Sequence, residues 1–175
     1  MYRFILVALS LVVFAETSLA SDSFIKTDTE FLAIRDPYRQ AEAWAVCSAV
    51  YDLYSEILKE DSPNLSLNLN NTARGAKVAI AMSQMGDLFL NQNLEAEEIL
   101  AKFNTTWATA KMMMDSLPES ASAAILGELE MASENQKVVW NQKLEETLAI
   151  CSDNIKTQQF YIDQWREMMK RGLFK

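Results

Sequence analysis

The sequence predicts an all-α fold, an up-and-down bundle of four to five helices with one disulfide between the first and last long helices. Three observations predict it. Glycine and proline are scarce, four and three in 175 residues, so few signals stop a helix. Apolar residues recur at steps of three and four over long stretches, the period of an amphipathic helix. The only strand-like stretch, around 61–71, has no partner with which to form a sheet. Half of the residues are hydrophobic and nearly a quarter charged, a composition that suits one compact domain and excludes collagen-like or disordered chains.

The first twenty residues read as a secretory signal. Met1-Tyr2-Arg3 gives a short basic start, and the apolar run Phe4 to Ala15 is interrupted only by Ser10. A helix needs about 20 apolar residues to cross a bilayer, so this run is too short for an anchor. Ser18-Leu19-Ala20 is a small-x-small site, which predicts cleavage before Ser21 and a mature chain of 21–175. Export to a periplasm or to the outside follows, with the bacterial periplasm favoured over a eukaryotic secretory route. The three N-x-S/T triplets, at Asn64, Asn70 and Asn104, would be glycosylation candidates only on the second route.

Residues 21–35 are expected to form a strap or short helix over the bundle, with Thr27-Asp28-Thr29-Glu30 matching a capping box. The bundle domain spans 36–175. Asp36 caps its first long helix and Pro37 suits the first helical position, where a missing N–H costs nothing. That helix should run to about Glu60. Its apolar arc, which includes Trp44, Val46, Cys47, Val50, Tyr51, Leu53, Tyr54 and Ile57, is wide enough to touch at least two other helices. Residues 61–71 are expected to be an extended connection pinned by Leu65, Leu67 and Leu69.

A second helix should run from about Thr72 to Leu90, with Val78, Met82, Met85 and Phe89 apolar and Gly75, Ala79, Ser83 and Gly86 forming a small-residue stripe for close packing. A third should start at Asn93, carry the stripe Leu100, Phe103, Trp107, Ala110, Met114 and Leu117, and stop before Pro118. Ser116-Leu117-Pro118-Glu119 then fits a capping box for the next helix. From Glu119 to Arg171 an unbroken helix would be about 80 Å long, too long for this domain. A break is expected at Ser133-Glu134-Asn135-Gln136 or at Ser152-Asp153-Asn154. The first is favoured because the stripe Trp140, Leu144, Leu148, Cys151, Ile155, Ile162, Trp165 and Met169 holds its phase through the second. Gly172 is the expected C-terminal stop.

In an oxidising compartment Cys47 and Cys151 are expected to pair, each lying near the middle of an apolar stripe. The alternative is two buried thiols acting as small apolar side chains. The chain has no histidine, which removes the commonest general base, Glu-x-x-His di-metal sites and most haem ligation. No cofactor or metal site is expected, and no catalytic residue stands out. The acidic pairs Asp52 with Glu56, Glu97 with Glu98, and Glu145 with Glu146 read as solvated helix faces. A formal charge of −8 argues against nucleic acid as a partner.

The function expected from these residues is a non-enzymatic, exported helical protein that binds another protein or serves as an accessory or structural factor. The alternative is a carrier of a small apolar or aromatic ligand, held in a cavity lined by Trp44, Tyr51, Tyr54, Met82, Met85, Trp107, Met114, Trp140 and Trp165. Such a cavity should be closed and of about 300 Å³ or more, and the same side chains could equally be ordinary core. The locally basic segment 165–175 could touch a membrane surface weakly, although cations in a last helical turn also follow from the helix dipole.

Overall fold

The computed structural model describes residues 23–25, 30–90, 96–170 and 172. The signal segment, the capping box at 27–30 apart from Glu30, the expected Asn93 cap and residues 173–175 lie outside the described residues. No strand occurs among the described residues, and five α-helices follow a short 3-10 turn at Phe31–Ala33. The helices are α1 (Pro37–Ile57), α2 (Pro63–Leu90), α3 (Ala96–Met131), α4 (Glu134–Asp153) and α5 (Ile155–Lys170).

Helix α1 is the centre of the bundle. It starts where Asp36 Oδ1 accepts the N–H groups of Tyr38 (2.9 Å) and Arg39 (3.4 Å), with Pro37 at the first position. Trp44, Cys47, Val50 and Tyr51 are buried, as the wheel predicts, and so are Ala41, Ala45, Ser48, Ala49 and Ser55 on the rest of its circumference. The small residues let α2 approach closely: Ser48 Oγ donates to the Ala73 carbonyl (3.2 Å) and Ser55 Oγ to that of Ser66 (2.9 Å). Helix α1 also packs on α3 and α4. At its last turn Ile57 is exposed, not part of the core.

Three expectations about boundaries are corrected. Residues 63–71 are helical, not an extended connection, because Pro63 opens α2 and Ser66 N–H already reaches the Ser62 carbonyl (2.9 Å). The residues this first stretch turns inward are Ser66 and, partly, Leu69, while Leu65 and Leu67 face solvent. Helix α3 does not stop at Leu117. It runs through Pro118 to Met131, held on both sides of the proline by Leu117, Ala121 and Ile125 packing into the core. The expected capping box at Ser116 is therefore absent, and the Ser116 hydroxyl instead bonds back to the Met112 carbonyl (2.9 Å).

The region 119–171 breaks at both candidate sites. At Ser133 the chain reverses through a capping box, with the Ser133 N–H donating to Gln136 Oε1 at 2.8 Å. At Asn154 the interruption is one residue long (φ −88°, ψ 8°), with its N–H bonded to the Ile150 carbonyl (3.2 Å) and its own carbonyl accepting from Gln158 N–H (3.0 Å). Helix α5 thus continues from α4 after a single offset, and the rod passes from α1, which α4 contacts, to α2, which α5 contacts. The buried positions keep one phase across it, with Leu144, Thr147, Cys151, Asn154, Gln158 and Tyr161 at steps of three and four. Gln158, Tyr161 and Met168 are buried on α5, whereas Ile155 and Met169 of the expected stripe are exposed. Gly172 ends the helix with φ 71° and its N–H on the Met169 carbonyl (3.1 Å).

Gly75 shows why part of the small-residue stripe exists. A Cβ there would collide with the Gln158 amide and meet Ile162 Cδ1 at 3.0 Å, so these α5 side chains settle against α2 where this residue has no side chain. Gly86, at the other end of the stripe, has open space beside it.

Candidate functional site

Cys47 and Cys151 form a disulfide between α1 and the end of α4, with Cα atoms 5.5 Å apart and positions 104 apart in the sequence. Both are completely buried. A structural disulfide of this kind is sustained by oxidising, extracellular-type compartments. No described helix is long and apolar enough to cross a membrane.

The nine aromatic and methionine residues expected around one cavity fall into two separate core clusters. Trp44, Tyr51, Met82 and Met85 are buried in the larger one, with Trp107, Met114 and Trp165 packed at its edge. Trp140 is buried in the smaller one, with Tyr54 beside it. In the larger cluster the rings pack on each other: Trp44 lies edge-on to Phe31 and Tyr161, with centroids 4.6 and 6.3 Å away, and Trp107 meets Trp165 at 5.3 Å. A polar seam crosses the same region. Phe31 N–H donates to Asn154 Oδ1 (2.8 Å), Gln40 Nε2 to the Phe31 carbonyl (2.5 Å) and the Tyr161 hydroxyl to Gln40 Oε1 (3.0 Å). Burial pushes the Tyr161 phenol up, with Ser83 and Gln40 partly opposing it, and pushes up Tyr51 and Tyr54 as well. Tyr161 is a neutral donor that ties α5 to Gln40, the α1 residue that holds the 3-10 turn.

Among the described residues the carboxylates do not converge. Glu145 and Glu146 are exposed, and Glu56 is tied to Lys59 at 3.1 Å on the surface. Asp52 is half-buried, accepts a long hydrogen bond from Asn70 Nδ2 (3.4 Å), and has its carboxyl raised by desolvation despite Lys77 and Arg74 nearby. Among the described residues no three acidic or cysteine side chains gather as a metal site.

The most distinctive surface lies where α3 and α4 diverge. Trp140 Nε1 donates to the Ile125 carbonyl (2.9 Å), joining the two helices at one point. On the side toward the Ser133 reversal a groove of about 340 Å³ opens between Met131 and Ala132 of this end and Val139 and Trp140 of α4, with Glu128 and Lys143 at its rim, 3.7 Å apart. Met131 (82% exposed), Val138 (69%) and Val139 (53%) are exposed at this end of the molecule, Met131 and Val139 on the groove itself. On the other side of the Glu128–Lys143 pair, the strap residues Ser23, Phe24 and Ile25 lie against the same two helices.

Phe24 is the anchor of that strap. It is buried with Val50, Ile125, Trp140 and Leu144, stands edge-on to Trp140 (centroids 6.1 Å apart), and has Lys143 Nζ 5.6 Å over its ring. Grooves of about 380 and 630 Å³ open on either side of Ser23–Ile25, one toward α4 and one toward α1 and α3.

Phe24, Lys143, Met131, Val138 and Val139 were not singled out by sequence reasoning. The run Val138-Val139-Trp140 is the one signal that could have pointed here, since three successive apolar residues span about 200° of a helix and cannot all face one core. No family model matches the chain, and neither the curated proteins nor the solved structures contain a match.

Proposed function

We propose that this protein is an exported, non-enzymatic helical bundle that binds a partner protein through the apolar end formed by α3 and α4. The observation that carries this reading is the exposure of Met131 and Val139 together on an open groove. Large apolar side chains exposed beside a groove with a polar rim suit an interaction site. Its partly polar rim, Glu128 and Lys143, suits a partner that must also exist free in water. The signal-like start with cleavage after Ala20 and the buried disulfide together favour a periplasmic or secreted location, the periplasm first.

Native mass spectrometry of the protein purified from its own compartment tests the reading. The expected result is a protein-bearing complex that disappears in a Met131→Asp, Val139→Asp double variant. A wild-type protein that runs only as the bare monomer would sink it. A small-molecule adduct that survives the double variant would instead favour the carrier of an apolar ligand.

A further inference from the structure

Two residues that cost the fold stability line one groove. Proline inside a helix withholds an N–H from the preceding turn, and Pro118 is buried in the interior of α3. A half-buried carboxylate is poorly solvated, and Asp52 on α1 has a single hydrogen bond, a long one from Asn70 to Oδ1 (3.4 Å), with none on Oδ2 among the described residues. Both residues line an open groove of about 420 Å³ between α1, α2 and α3, in the size range of small-molecule sites. Sequences depart from local folding rules chiefly where a site requires it.

Apolar surface in this groove comes from Ala49, Pro118 and Leu126, and polar groups from Asp52, the Lys77 ammonium of α2 and the Ser122 hydroxyl. Lys77 is half-buried and makes no hydrogen bond or ion pair among the described residues, yet its charge acts on Asp52. Two opposite charges thus share the groove without closing on each other. A ligand with only an ammonium is drawn by Asp52 but repelled by Lys77 and by Arg74 nearby. One with only a carboxylate meets the reverse, with the exposed Glu119 of the same groove adding to the repulsion. A ligand that carries both charges pairs with both groups. We propose that this groove binds a small zwitterion of the free apolar amino-acid class, its ammonium on Asp52, its carboxylate on Lys77 and its side chain against Pro118 and Leu126. The site shares no residue with the groove at Met131 and Val139, so the inference stands apart from the protein-binding reading.

Isothermal titration of the purified, dialysed protein tests this with probes that share one side chain and differ in charge: L-leucine, isoamylamine, which lacks its carboxylate, and isocaproate, which lacks its ammonium. Leucine is expected to saturate the wild type with a dissociation constant of about 1 mM or tighter, and each single-charge probe to bind at least about tenfold more weakly. Asp52→Asn and Lys77→Gln, each of which removes one charge and keeps the shape, should each weaken leucine at least about tenfold while the helical circular dichroism stays that of the wild type. The probe comparison on the wild type decides the question even where a variant does not fold. Leucine that does not saturate, that binds no better than isoamylamine or isocaproate, or whose affinity both variants leave unchanged overturns the proposal.

Discussion

Asp52 is where a single residue sets a pH dependence. Burial raises its carboxyl above the usual range more strongly than Lys77 and Arg74 lower it. A carboxyl that binds its proton more tightly when folded favours the fold at low pH, and that advantage is lost as pH rises through the unfolded and then the folded value. At neutral pH the charge is therefore a cost. Asp52→Asn, which keeps an oxygen for Asn70, should raise the melting temperature at pH 7, and the difference should vanish below the ordinary carboxylate range; thermal unfolding across pH checks both. The two cysteines were legible at this scale because each sits mid-stripe on a helix. Phe24 was not, since three residues of irregular chain carry no periodicity, and its importance comes from a pocket made by residues about a hundred positions away.

Among the elements, Pro118 gives the clearest lesson. Proline in a helix interior removes one hydrogen bond and crowds the preceding turn, at about 3 kcal/mol, so a stop at Leu117 is the sound expectation from local chemistry. The helix continues because Phe103, Ala110 and Met113 before the proline and Ile125 after it are buried in the same bundle. Pro118→Ala should restore an amide to the Met114 carbonyl and raise stability by about 1–2 kcal/mol, the helix gain less the lost ring burial. Urea unfolding measures the gain, and hydrogen exchange should find the new amide protected. The start of α2 was illegible for a different reason. Its inward residues at 66 and 73 are a serine and an alanine, which give no hydrophobic signal, while the leucines at 65 and 67 that drew attention face water.

For the whole molecule, the disulfide ties the central helix to the far end of the chain. Closing a loop of about 100 residues lowers the entropy of the unfolded chain by an amount worth about 4–5 kcal/mol. A Cys47→Ala, Cys151→Ala variant should lose roughly that much in urea unfolding. Because both sulfurs are fully buried, the native protein should resist a water-soluble reductant until it unfolds; rapid thiol release from the folded protein would contradict the packing described.

By itself the sequence determined the class and the main supports: helices with few stops, the Asp36-Pro37 start, the reversal at Ser133, the Gly172 stop and the cysteine pair. These are local, since caps, periodicity and backbone freedom act within a few residues. Only the tertiary structure decided that one aromatic group of residues would divide into two cores, that α1 would be buried on nearly all sides, and that Met131, Val138 and Val139 would be left in water. Those outcomes depend on which helix lies against which, and small side chains such as Gly75 and Ala73 fix that arrangement by how closely they let backbones approach.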